Sequence, residues 1–264
     1  MPTPTEQLQK LLTNGTARQD FKQSAMALVR QGADITVRSD SGAEPTLLHI
    51  LAVQNDNGAN NGEIAELVGL NRAVLASTDY NRRTALQSLI DALINKECSF
   101  ANFKQSAMVL ARQGTDTTLK ATAGAEPTLL HILAVQNDNG VNNDEIAELV
   151  GLNRAVLAST DYNRRTALQS LMDALINKEC SFVNFKQSAM ALARQGANTT
   201  LKATAGADPT LLHILALQND NGANNGDIAE LVNLNADVLK STDYYGRTAL
   251  QSLMDALINK ECSF

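Results

Sequence analysis

The sequence predicts an all-α protein, a solenoid of stacked helix-turn-helix pairs joined by short hairpin-like loops. Three observations carry that expectation. The chain repeats itself: "FKQSAM" begins at Phe21, Phe103 and Phe185, and "NKECSF" closes at Phe100, Phe182 and Phe264, each 82 residues apart. Every period holds two similar halves, and each half reads as two helices and a turn. Leu86, Leu89, Ile90, Leu93 and Ile94 fall at i, i+3, i+4, i+7 and i+8, one face of a helix. No run alternates apolar and polar residues for long, and aromatics make up only 4%, so strand signals are weak. Fixed-period repeats bury their faces against their neighbours. A helical solenoid without hairpins is the alternative fold.

The elements follow in order. Thr3-Pro4-Thr5-Glu6 fits a capping box, with Pro4 at the first helical position, so residues 1–39 read as an N-terminal capping helix pair. Residues 40–121 form a first double repeat, 122–203 a second, and 204–264 a third that is incomplete at the C-terminus. In the first half-repeat, Leu47 to Val53 is apolar nearly all round, as expected of a helix between neighbours. Asn57-Gly58 suits the positive φ at which a helix stops. Ile64, Leu67 and Val68 mark a second, shorter helix, with Glu63 near its positive end. The other half-repeat carries Thr84 to Ile94, then Phe103 to Arg112. The last first-type helix, with Leu250, Leu253, Met254 and Leu257, has no "FKQSAM" helix after it. The expectation is that the parent chain continues or that another molecule covers this face.

Composition narrows the function. Of the 264 residues, 44% are apolar, and the net charge is −6. An acidic chain without a basic stripe is not expected to bind nucleic acid or an anionic membrane. No apolar stretch reaches membrane-spanning length, and no secretion signal is visible, so a soluble, intracellular-type protein is expected. Cys98, Cys180 and Cys262 are sparse and regularly spaced, which predicts free, largely buried thiols and no disulfides.

Each copy of "TLLHILA" holds the one histidine of its block, followed by an Asn/Asp tract, and this invites a metal or a catalytic site. The spacing argues otherwise. Setting Gly58 at the sixth position of a calcium loop puts Val53 and Ile64 at its ends, where oxygen ligands are needed. Gln87 stands at the second-half position that His49 holds in the first, and Gln cannot act as a base. The shared role is then hydrogen bonding around a helix start. Capping roles follow for Thr46, His49, Thr84, Gln87, Thr128, His131, Thr166, Gln169, Thr210, His213, Thr248 and Gln251. No nucleophile elbow, phosphate loop or zinc motif occurs. Asp91, Asp173 and Asp255 have no second acid at a spacing that makes a catalytic pair. No catalytic residue, cofactor or metal is expected.

These motifs resemble ankyrin repeats. Asp243-Tyr-Tyr-Gly246-Arg-Thr248-Ala-Leu250 is similar to the family's D-x-x-G-x-T-P-L. Thr46-Leu-Leu-His49 resembles its T-P-L-H, Glu63 to Val68 its second helix, and Gln31-Gly-Ala-Asp34 the turn after it. The resemblance covers nearly the whole chain. The chain departs from the pattern in having units of about 39 and 43 residues instead of about 33. Arg82 and Arg164 also replace the turn Gly, and Ala85, Ala167, Leu47 and Leu129 replace the Pro. The Arg replacements put a standard tight turn in question at two sites.

The resemblance implies a protein–protein interaction scaffold. Its contacts would lie on the loop tips, at Tyr80, Asn81, Arg82, Tyr162, Asn163, Arg164, Tyr244 and Tyr245, and on the concave helix face. Tyr and Arg are favoured interface anchors. Residues 40–100 differ from 122–182 at only five places, which reads as recent duplication. Near-identical arrays of this kind resemble those of intracellular bacteria that deliver proteins into a host cell. That resemblance implies an effector in the host cytoplasm, with a protein partner. The alternatives are a structural or engineered spacer and the non-catalytic targeting part of a longer enzyme.

Overall fold

The computed structural model describes residues 1–14 and 20–259. Among them are thirteen α-helices and no strand. Cys262 and Phe264 lie outside the described residues. The chain divides into two compact units, Met1–Leu129 and Leu130–Phe264.

The first unit contains α1 (Pro4–Asn14), α2 (Phe21–Arg30), α3 (Leu47–Val53), α4 (Asn61–Leu70), α5 (Ala85–Ile94) and α6 (Phe100–Arg112). Helix α1 packs on α2, α3 packs on α4 and α5, and α6 packs on α4 and α5. First helices thus touch first helices, and second helices touch second helices. α7 (Leu129–Val135) spans the division between units. The second unit contains α8 (Asn143–Leu152), α9 (Ala167–Ile176), α10 (Phe182–Arg194), α11 (Leu211–Leu217), α12 (Asn225–Leu234) and α13 (Ala249–Ile258). Within it, α10 packs on α8, α9 and α12, and α11 packs on α12 and α13.

Local chemistry accounts for the helix starts. The Thr3 amide donates to Glu6 Oε2 at 2.7 Å, and the Glu6 amide donates to Thr3 Oγ1 at 3.2 Å, so α1 begins on a reciprocal cap. Leu8 and Leu12 are its buried residues. Thr84, Thr166 and Thr248 close the same box with Gln87, Gln169 and Gln251. Leu47 to Ala52 are all buried, so α3 meets solvent only at its last residue, the half-buried Val53. In α5, Leu86, Leu89 and Ile90 are buried on the face that the apolar spacing marks.

The loops between half-repeats turn back on themselves. Each closes with a single antiparallel bridge: Arg38 with Thr46, Thr78 with Thr84, Thr160 with Thr166, Lys202 with Thr210 and Thr242 with Thr248. The turn survives without its glycine. Arg82 (φ 60°) and Arg164 (φ 61°) adopt the left-handed conformation that Gly246 (φ 74°) adopts in the third copy. The same backbone bond closes all three turns, from the amide of the third tip residue to the Asp79, Asp161 or Asp243 carbonyl, at 3.1 to 3.2 Å.

One expectation needs correction. Asn57-Gly58 does not stop α3, which ends at Val53 with Gln54 as its cap. The pair does have positive φ (50° and 77°), but it forms a separate turn between α3 and α4.

Candidate interaction surface

The repeated polar residues make joints between half-repeats. His49 Nδ1 lies 2.8 Å from Thr46 Oγ1, and its Nε2 lies 2.8 Å from the Arg83 carbonyl oxygen. A carbonyl can only accept, so Nε2 carries the proton and Nδ1 accepts from the Thr46 hydroxyl. Burial pushes the His49 pKa down, against the opposing pull of the Arg83 carbonyl. His131 and His213 reach the Arg165 and Arg247 carbonyls at 2.9 Å. Gln87 does both jobs with an amide. Its Oε1 accepts from the Thr84 amide at 3.1 Å, and its Nε2 donates to the Lys120 carbonyl at 2.8 Å. Thr46 differs from Thr84 in spending its hydroxyl on the imidazole, and it makes no side-chain cap bond to the backbone.

A second joint was not apparent from the sequence. Arg83 donates Nε to Asp79 Oδ2 at 2.9 Å and Nη1 to Asp91 Oδ2 at 3.2 Å, bridging two buried carboxylates. Asp91 in turn accepts from the Thr122 amide at 2.9 Å, the Ala123 amide at 3.1 Å and the Thr122 hydroxyl. Asp161, Arg165, Asp173, Thr204 and Ala205 repeat the arrangement in the second unit. Burial opposes ionisation of Asp79, but the Arg83 amide and guanidinium outweigh it and hold the carboxyl below its ordinary value. Asp161 and Asp243 are shifted the same way against their own arginines. A cavity of about 430 Å³ opens beside the first joint, lined in part by His49, Asp79, Arg83, Ser88 and Asp91. All five side chains are engaged in the bonds of the joint. The recurrence of Asp, Arg four residues on, and Asp eight further was the available signal, but nothing local identifies Thr122 as the partner.

The Asn tract is a buried plug. Asn60 Nδ2 donates to the Leu51 carbonyl at 3.0 Å and the Gln54 carbonyl at 2.9 Å, satisfying the end of α3. Asn55 Oδ1 accepts from the Asn60 amide at 2.6 Å, and Asn55 Nδ2 donates to Asn61 Oδ1 at 2.7 Å. Asn102 of α6 latches the turn, accepting from the Asn57 amide at 3.0 Å and donating to Asp56 at 2.7 Å. The second unit repeats the plug with Asn137, Asn142 and Asn143, and the latch with Asn184. Among the described residues, no group of three or more His, Cys, Asp or Glu side chains could hold a metal ion.

What faces outward is different in kind. Tyr80, Asn81, Arg82, Tyr162, Asn163, Arg164, Tyr244 and Tyr245 are all exposed. Their backbone is anchored: the Tyr80 amide donates to the Ala43 carbonyl and the Tyr244 amide to the Ala207 carbonyl, both at 2.9 Å. At the third tip, Tyr244 and Tyr245 meet edge to face with centroids 5.3 Å apart, and the Arg247 guanidinium lies 4.8 Å from the Tyr245 ring centre. Cys98 and Cys180 are free and half-buried, more open than expected, and burial raises both thiol pKa values. No described helix is long and apolar enough to cross a membrane.

No family model matches the chain. No curated protein matches it either. Among solved structures, it is similar to one chain of the complex between the Bd0816 predatory endopeptidase of Bdellovibrio bacteriovorus and immunity protein Bd3460. The identity is 17% and the TM-score 0.42, over 96% of this chain and 92% of that one. A likeness of this degree carries nothing about activity.

Proposed function

We propose that this protein is a binding scaffold of ankyrin-like repeats that holds a protein partner through its loop tips. One contrast supports the reading. The His, Asp, Arg and Asn side chains that could do chemistry are spent on internal bonds, whereas the tyrosines stand exposed on a hydrogen-bonded turn at the same place in each repeat. Large, stiff side chains on an anchored backbone lose little entropy on binding. On this reading the protein has no catalytic role of its own. The partner is a host protein if the array acts as a bacterial effector in a host cytoplasm.

The test is capture from eukaryotic lysate with the full chain, repeated with Tyr80, Tyr162, Tyr244 and Tyr245 changed to Ala. Loss of a specific partner by roughly tenfold or more is expected, with the thermal midpoint unchanged. Equal capture by the variant rules out the tips. The near-identity of the blocks favours one rival, a spacer that sets a length. Deleting residues 122–203 should abolish capture if a partner needs several tips, and should only shorten the protein if it is a spacer.

A further inference from the structure

The cavity of about 430 Å³ beside the first joint has a lining that the joint does not use. Part of it is apolar: Pro45, Ile50, Val53 and Ala92. On its open side stand Gln54, Asn95 and Glu97, all exposed, whose side chains take no part in the bonds of the joint. The charge is lopsided. The lining holds three carboxylates, Asp79, Asp91 and Glu97, against one guanidinium, that of Arg83. Burial pushes the His49 pKa down, so the imidazole adds no positive charge at neutral pH. Helices α3 and α5 both end at this cavity, with Gln54 and Asn95 as their C-caps. The negative ends of two helix dipoles favour a cation there. Glu97 is held from behind, since its amide donates to the Ala92 carbonyl at 2.8 Å. Ala43, whose carbonyl accepts from the Tyr80 amide, is another lining residue, so the cavity adjoins the Tyr80 tip.

We infer that this cavity receives an arginine side chain of the protein partner, from a segment that runs past the Tyr80 tip. The methylene stem packs on Ile50, Val53 and Ala92. The guanidinium meets the Glu97 carboxylate and the side-chain carbonyls of Gln54 and Asn95. A planar fork of five donors suits several acceptors around one opening better than the point charge of a lysine does. Asp79 and Asp91 keep their bonds to Arg83 and contribute only through their charge. The inference takes from the proposed scaffold role only that the occupant belongs to a protein.

The probe is arginine blocked at both ends, as the N-acetyl methylamide. It is titrated at fixed ionic strength into the full chain carrying labelled Ile, Val and Ala methyl groups, and read by NMR. Saturable shifts are expected at Ile50, Val53 and Ala92, with blocked lysine binding roughly threefold more weakly and blocked norleucine more weakly still. Glu97→Gln should weaken arginine binding roughly fivefold and leave the thermal midpoint unchanged. The inference is overturned by the absence of a saturable shift at these methyls, by equal binding of arginine and either control, or by unchanged affinity in Glu97→Gln. Free arginine binding about tenfold tighter than the blocked form also overturns it, since the site would then be one for a small molecule. The probe carries nothing that needs the tyrosines. Failure here therefore leaves the tip reading standing, and capture that survives the tyrosine changes leaves this inference standing.

Discussion

Arg82 and Arg164 hold φ near 60° where the third copy has Gly246, and a side chain in that region is strained. Arg82→Gly should raise stability by about 1 kcal/mol, read as a shift in the urea midpoint. His49 makes a prediction with a sign. The unfolded imidazole takes up its proton near the ordinary value of 6.5, while burial holds the folded one lower. Stability from the neutral, bonded ring is therefore complete above pH 6.5 and drains away as pH falls below it toward the folded value. His49→Gln should fold nearly as well at pH 7.5, because Gln87 makes equivalent bonds in the next half-repeat. Its unfolding midpoint should change less than that of the parent protein between pH 7.5 and 5.5. The interchange of His and Gln was visible in the sequence, and so was a hydrogen-bonding role. The Arg83 and Lys120 carbonyls were not, because an acceptor more than thirty residues away leaves no local pattern.

Element type could be read from the sequence, because helical periodicity at Leu86, Leu89 and Ile90 reports one buried face directly. Element ends could be read only where a side chain caps its own helix. The start of α5 is local chemistry between Thr84 and Gln87. The end of α3 depends on Asn60, which comes back over an intervening turn to the Leu51 and Gln54 carbonyls, and Asn57-Gly58 was the more obvious stop signal. Asn60→Ala takes the side-chain donor from the buried Leu51 carbonyl and from the part-buried Gln54 carbonyl, and should cost roughly 2 kcal/mol. Measurement of the melting midpoint would show it, while Asn57→Gly should be nearly neutral. Helix α6 carries the opposite case. Ser106 Oγ is buried with no hydrogen-bond partner, as is Ser188 Oγ in α10. Ser106→Ala removes that penalty and improves helix propensity, so a gain of about 0.5–1 kcal/mol is expected in chemical denaturation.

At the scale of the whole molecule, the same few bonds recur because each block repeats the same residues. His to carbonyl, Asn to helix end, and Asp to Arg and the next loop together join half-repeats that could not bury their own faces alone. The repeat period was legible because it is a property of the string. The polar joints were not, because their partners meet only once the units pack. The central claim is that these clusters are joints and not a chemical site, and Asp91, Asp173 and Asp255 test it within one chain. All three contact the arginine eight residues before them, but only Asp91 and Asp173 are buried under a following loop. The decisive measurement is the unfolding midpoint of each Asp→Ala variant. A loss of about 3–5 kcal/mol is expected for Asp91→Ala and for Asp173→Ala, and under about 1 kcal/mol for Asp255→Ala. Equal, small losses at all three positions would contradict the account.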